Sequence, residues 1–126
     1  MTIALDASAL LAVVFDEPGS ELVAPVADQS LISAVNLSEA IQKMIDRGWT
    51  EEEVRQTLYH FRLSVVSFDE DAAHRAGFLR IATRHRGLSL GDRACLALAI
   101  VDGARVLTAD RAWAGLKLGV EIEVIR

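Results

Sequence analysis

Four acids stand where a chain of alternating strands and helices would do its chemistry: Asp6, Glu39, Asp92 and Asp110. Asp6 closes an apolar stretch at residues 2–5. Glu39 comes early in the helix after a second candidate strand. Asp92 falls in the first turn of a helix that opens at Ser89, and Asp110 follows a strand at 105–108. Carboxylates that converge in one pocket repel one another and raise each other's pKa values unless a cation compensates. Hard oxygen ligands of this kind select Mg2+ or Mn2+ over zinc. Zinc would call for His or Cys, and the three histidines (His60, His74 and His85) show no metal-ligand spacing and read as surface residues.

Each acid also has a plain structural reading. Asn36-Leu37-Ser38-Glu39 and Ser89-Leu90-Gly91-Asp92 both resemble capping boxes, with the acid at the third helical position. Asp6 suits the N-cap of the helix after it, and Asp110 that of a short helix reaching Trp113. The helix macrodipole favours acids at such places. Position alone therefore does not separate helix caps from a cation site.

The elements that must position these acids follow from apolar patterning. Residues 2–5 read as a strand and 7–15 as a buried helix that stops before Pro18-Gly19. A weaker helix is expected at 20–27 despite Pro25, then a strand at 30–34 and a helix at 37–47. That helix carries Leu37, Ile41, Met44 and Ile45 at i, i+4, i+7 and i+8, a stripe from which Glu39 points away. Thr50-Glu51-Glu52-Glu53 is a capping box for a helix reaching Arg62. A strand at 64–68 precedes a helix running from Asp69 to Arg84-His85-Arg86-Gly87. Residues 89–102 form an almost wholly apolar helix, expected to be buried on most sides. Strands at 105–108 and 121–125 complete the chain. Alternation of this kind predicts a three-layer α/β/α sandwich around a mainly parallel central sheet. Such sheets take ligands beyond the carboxyl ends of their strands.

The 126 residues match one domain, 1–126, with a core that needs no staples. No apolar run approaches the roughly 20 residues of a membrane span. The N-terminus lacks a basic leader, and Asp6 interrupts its apolar stretch, so a cytoplasmic protein is expected. The lone cysteine, Cys95, reads as core filler. A net charge of −5 argues against a simple nucleic-acid binder with a broad basic face, but not against an enzyme that clusters acids around a cation. All bases but Lys43 and Lys117 are arginines, whose planar fork suits phosphate.

The local sequences around the acids carry a resemblance. Ile3-Ala4-Leu5-Asp6-Ala7-Ser8-Ala9-Leu10-Leu11 is similar to the first motif of PIN-domain nucleases, and Asn36-Leu37-Ser38-Glu39 to the second. Leu90-Gly91-Asp92-Arg93-Ala94-Cys95-Leu96-Ala97 resembles the third, and Val106-Leu107-Thr108-Ala109-Asp110 the fourth. The order is that of the family, and the resemblance spans nearly the whole chain. Within the family, the length and the Gly-Asp-Arg-Ala-Cys-Leu-Ala-Leu-Ala stretch most resemble VapC-type toxins, the ribonuclease halves of type II toxin–antitoxin pairs. The resemblance implies a PIN-like fold, a Mg2+- or Mn2+-dependent endoribonuclease acting on RNA, a cognate antitoxin protein and a homodimer. It implies Asp6, Glu39, Asp92 and Asp110 as the acidic quartet, with Asp6 and Asp92 the main direct ligands, and Ser8 and Thr108 as supporting hydroxyls.

Beyond the quartet, Arg75, Arg80, Arg84, His85, Arg86, Arg93 and Arg111 are candidates for gripping the RNA backbone, with solvated surface as the competing role. Trp49, Tyr59, Phe61 and Trp113 could dock a partner helix, with core packing the expected role for most. Two rival readings remain at this level. One is a Mg2+-binding phosphoacceptor receiver module, with Asp6 and Asp69 as its acids. It lacks the acidic pair after the first strand and any Lys-Pro near the end. The other is a catalytically inactive PIN fold that only binds protein.

Overall fold

The computed structural model describes residues 2–126. A five-stranded, wholly parallel sheet of β1 (Ile3–Leu5), β2 (Ser30–Ser33), β3 (Ser64–Val66), β4 (Arg105–Thr108) and β5 (Ile122–Val124) runs in the spatial order β3-β2-β1-β4-β5. The helices are α1 (Ala7–Val14), α2 (Ser20–Val23), α3 (Ala34–Asp46), α4 (Glu51–Phe61), α5 (Glu70–Thr83) and α6 (Leu90–Asp102). The sheet winds outward from β1 through β2 to β3, then restarts on the other side with β4 and β5. The reversal lies between β1 and β4. A crevice opens at such a switch point because the connections on either side depart in opposite directions.

Alternation along the strands sorts the core onto two faces. Ile3, Leu5 and Leu107 pack with Ala9, Ala12 and Val23 of α1 and α2. Ala4 and Val106, one residue out of step, pack on the other face with Cys95, Leu96 and Ala99 of α6 and with Trp113. A third cluster joins Leu10 and Leu11 of α1 to Ile32, Ala40, Met44 and Val54. Helices on both faces of a parallel sheet make the expected three-layer sandwich. α5 packs chiefly against α6, outside the sheet.

Several local expectations are revised. The helix expected at 20–27 stays α-helical only over Ser20–Val23 and then tightens into a 3-10 segment, Ala24–Gln29, with Pro25 near its start, where a missing N–H costs little. The strand expected at 64–68 ends at Val66 on the sheet edge, and its residues are largely exposed. The helix expected at 37–47 begins at Ala34, capped by Ser33, whose hydroxyl accepts from Val35 N. On it the deeply buried apolar residues are Ala40 and Met44, whereas Ile45 is exposed. α6 is less enclosed than its composition predicts: Leu90, Ile100 and Val101 face solvent. Two capping boxes match expectation in full, Thr50 with Glu53 and Ser89 with Asp92. Cys95 is buried in the core, and all three histidines are exposed.

Among the described residues, no helix is long and apolar enough to cross a membrane. Of the four aromatics considered for docking a partner helix, Trp113 is fully buried, while Trp49 and Phe61 are half-buried in the third cluster, where Trp49 meets Phe15 edge to face. Tyr59 is the one of these four that is well exposed.

Candidate active site

Asp6 leaves the end of β1, the strand at the centre of the sheet, and its side chain caps α1. Oδ1 accepts from Ala9 N at 2.9 Å and from the Ser8 hydroxyl at 2.7 Å, and Oδ2 accepts from the Thr108 hydroxyl at 2.6 Å. Ser8 and Thr108 each spend their only hydroxyl proton on this carboxylate. As acceptors they hold the backbone after β4: Ala109 N donates to Ser8 Oγ, and Asp110 N donates to Thr108 Oγ1. The network ties the exits of β1 and β4 together across the switch point. It also confirms in part the cap reading of Asp6 and Asp110, since Asp110 Oδ1 accepts from Ala112 N at the start of the Arg111–Trp113 turn.

Those donors do not offset the cost of burying Asp6, which is 5 % exposed. Burial raises its pKa from 3.8 to about 6 despite the three hydrogen bonds, with Asp92 adding a smaller upward push. The fully buried Cys95 thiol lies under the same charges. Burial first, then Asp6, Asp92 and Glu39, push it well above its ordinary range, which excludes it as a thiolate at neutral pH.

Asp92 is the third residue of α6 and completes its capping box: Ser89 N donates to Oδ2 at 2.9 Å, and Asp92 N donates to Ser89 Oγ at 3.2 Å. One oxygen thus has a structural duty. Glu39 has no such duty, because α3 starts at Ala34 and Glu39 lies in its second turn. The capping-box reading of Asn36 and Glu39 is therefore wrong. Glu39 Oε1 instead accepts from Asn36 Nδ2 at 3.0 Å, and the same amide donates to Gly91 O at 2.9 Å. Asn36 is 1 % exposed, and its own Oδ1 has no hydrogen-bond partner. Gly91 makes the arrangement possible, since a Cβ there would collide with both Glu39 carboxylate oxygens.

All four sequence-selected acids, with Ser8 and Asn36, line a single open cleft of about 620 Å³. Thr108 lies beneath it, completely buried. The donors are oxygens alone, the kind a hard divalent cation takes. Among the described residues, no three acids, histidines or cysteines stand close enough to form a ready cage. N–H and O–H donors take both Asp6 oxygens and one oxygen each of Glu39, Asp92 and Asp110, which leaves the second oxygen of the last three free of protein donors among the described residues. The set fits a cation that keeps several waters and takes one or two carboxylates, as Mg2+ does, better than a closed protein cage.

The candidate arginines for gripping an RNA backbone do not line this cleft. Arg86 donates to Ala112 O and Ala114 O, Arg93 to Ala76 O, and Arg80 to Leu88 O, so these tie the outer layer together. Arg111 donates to Arg126 O. The cations lining the cleft are Lys43, Arg47 and Arg126, none of which sequence reasoning selected. A signal for part of this was present. Asn36, Glu39, Lys43 and Asp46 recur at i, i+3, i+7 and i+10 along α3, a polar helical face opposite Ala40 and Met44. Asp69, an acid of the receiver reading, sits on the edge-strand side against a separate small cavity beside Phe68 and Arg75. The strand order also differs from the 2-1-3-4-5 of flavodoxin-like receivers, which removes that alternative.

The PIN domain profile matches residues 3–117. Among curated proteins no sequence match is found. Among solved structures, the chain resembles DNA-bound VapBC from Salmonella typhimurium with a TM-score of 0.75 at 22% identity, covering 98% of this chain and 97% of that one. It resembles Mycobacterium tuberculosis VapC20, described as a sarcin–ricin loop cleaving toxin, with a TM-score of 0.75 at 17% identity over 94% and 98% of the two chains. It also resembles VapBC2 from Rickettsia felis, bound to a promoter DNA fragment, with a TM-score of 0.73 at 20% identity over 98% of each.

Proposed function

The chain belongs to the PIN domain family, and on that premise we propose that it is a Mg2+- or Mn2+-dependent endoribonuclease, the toxin of a VapBC-type pair. The observation that carries the reading is the buried Asp6 carboxylate, held with a raised pKa beside Asp92 in a cleft that Glu39 and Asp110 also line. A fold pays for such a charge when something binds there, and a hydrated divalent cation is the ligand that relieves it.

In this reading Asp6 and Asp92 hold the cation directly, and Glu39 and Asp110 complete its shell, partly through water. When bound, the cation supplies charge stabilisation at the scissile phosphate and activates the attacking water. The remaining work belongs to the chain. Ser8 and Thr108 fix the Asp6 carboxylate in one rotamer by donating to opposite oxygens. Asn36 fixes Glu39 against the first turn of α6. The capping box pins Asp92 and so sets its distance from Asp6.

The test is incubation of the purified protein with structured cellular RNAs in Mg2+, in Mn2+ and in chelator. Cleavage with either cation and none in chelator is expected. Intact RNA under all three conditions would leave a PIN fold that only binds protein. A cognate antitoxin and a homodimeric assembly belong to the same proposal. The DNA-bound VapBC structures among its fold neighbours support the former, and a small reading frame beside the gene is expected to encode it.

Gly91→Ala isolates the Glu39 contribution. The new methyl displaces the flexible end of Glu39, not backbone, and a helical Gly→Ala change gains about 0.4–1 kcal/mol where the conformation permits. Cleavage is expected to fall about ten-fold while the melting temperature holds or rises. Undiminished cleavage would show that Glu39 is dispensable where it sits.

A further inference from the structure

The acidic end of the cleft repels the substrate it is proposed to cut, so the grip on a polyanion must come from elsewhere in it. Six carboxylates line the cleft (Asp6, Glu17, Glu39, Asp46, Asp92 and Asp110) against three cations, Lys43, Arg47 and Arg126. Two of those cations share one carboxylate. Arg47 Nη2 donates to Glu17 Oε2 at 3.4 Å, and Arg126 Nη1 donates to Glu17 Oε1 at 3.3 Å and to Pro18 O at 3.2 Å.

The group is held in place from several sides. Arg47 stacks 4.1 Å over the Phe15 ring, which in turn meets Trp49. Gly19, at φ +96°, lies so close to Ile125 that a Cβ would come within 2.7 Å of the Ile125 carbonyl oxygen, and this seats the α1–α2 turn beside Arg126. The Arg126 carbonyl accepts from Arg111 Nε at 3.0 Å. Both guanidiniums keep further N–H groups with no protein acceptor among the described residues. The ion pairs themselves are long and partly solvated, with the side chains 57%, 34% and 28% exposed for Arg47, Arg126 and Glu17. Pairs of that kind contribute little to stability. Two guanidiniums sharing a weakly engaged carboxylate present the spacing and charge that a phosphodiester oxygen can take over.

The geometry points to Arg47 and Arg126 as a clamp for a backbone phosphate flanking the scissile one, with Glu17 as the internal carboxylate that the phosphate displaces. The inference rests on the nuclease reading of the same cleft. It makes Glu17 a competitor of the substrate, and that sets the sign of its test.

Binding of a short single-stranded RNA, and of the DNA of the same sequence, is measured by anisotropy in chelator across a salt series. Arg47→Gln and Arg126→Gln are each expected to raise Kd roughly three- to ten-fold for both polymers and to flatten the salt slope by about one contact. Glu17→Gln is expected to lower Kd. Arg55→Gln, on the exposed face of α4, is expected to change neither. A merely structural ion pair predicts the same direction for all three cleft variants, so weaker or unchanged binding by Glu17→Gln overturns the clamp. A loss confined to RNA overturns it as well, because a backbone clamp does not sense the 2′-hydroxyl. Cleavage by the parent in Mg2+ is scored separately. A parent that cuts while the variants bind normally loses only the clamp, and a parent that binds as expected but never cuts loses only the nuclease reading.

Discussion

Asp6→Asn is expected to abolish RNA cleavage and at the same time to raise the melting temperature at neutral pH. The loss should be about a hundred-fold or more, the scale seen when a group acting on transition-state charge is removed. The gain follows from linkage. An acid whose pKa rises on folding binds its proton more tightly in the folded state than in the unfolded state, so stability falls as pH rises between the two values. For Asp6 those values are 3.8 and about 6. Below about pH 3.8 the group is protonated in both states and contributes nothing. The penalty grows across the window and is complete above about pH 6. At 1.36 kcal/mol per unit the cost at pH 7.5 is about 3 kcal/mol, as an upper bound.

Asparagine avoids that cost and remains a good N-cap, able to accept from Ala9 N. The variant should therefore melt several degrees above the parent at pH 7.5 and close to it near pH 4. Calorimetry in chelator at the two pH values, so that no bound cation relieves the parent's charge, decides the matter beside the cleavage assay. A variant less stable than the parent at pH 7.5 would mean that the hydroxyl network outweighs the buried charge.

Asp92→Asn is expected to cost cleavage on the same scale but to move stability the other way. Its capping bond from Ser89 N survives on the amide oxygen, while the favourable charge at the N-terminus of α6 is lost, about 0.3–1 kcal/mol. Asp92 is also one of the causes that raise the Asp6 pKa, though the smallest of them. The upper edge of the pH window in which the parent loses stability should therefore shift slightly downward in the variant. Cleavage equal to the parent's would remove Asp92 from the proposed cation site. Matched catalytic losses are what a shared cation site predicts, while the opposite stability changes follow from the buried charge of Asp6 and the capping charge of Asp92. Two independent helix caps would lose stability together.

The contrast between these residues marks what local sequence can carry. Ser89-Leu90-Gly91-Asp92 and Thr50-Glu51-Glu52-Glu53 act over four residues, so their capping boxes were legible and are observed. Residues 2–5 were likewise legible as a strand, whose pleat sends Ile3 and Leu5 to one face of the sheet and Ala4 to the other. The same locality misled at Glu39. Asn36 imitates an N-cap, yet Ser33 competes for the role and wins, moving the start of α3 three residues upstream. The apolar run of α6 also overstated its burial, since composition counts residues and does not know which side α5 covers.

The four acids at Asp6, Glu39, Asp92 and Asp110, and their order, were thus present in the sequence by itself, together with the parallel α/β class that puts strand exits on one side. Their sharing of a cleft depends on β1 lying beside β4, a pairing across about a hundred residues that no short-range signal encodes. So does the fit of Glu39 over Gly91, which needs α3 and α6 to cross where the glycine leaves room. The cations of the cleft, Lys43, Arg47 and Arg126, come from separated segments, and charge alone could not distinguish them from Arg80, Arg86 and Arg93, which fasten the outer layer. Residue chemistry is a local property. Which charges face one another, and which are desolvated enough to matter, is decided by packing.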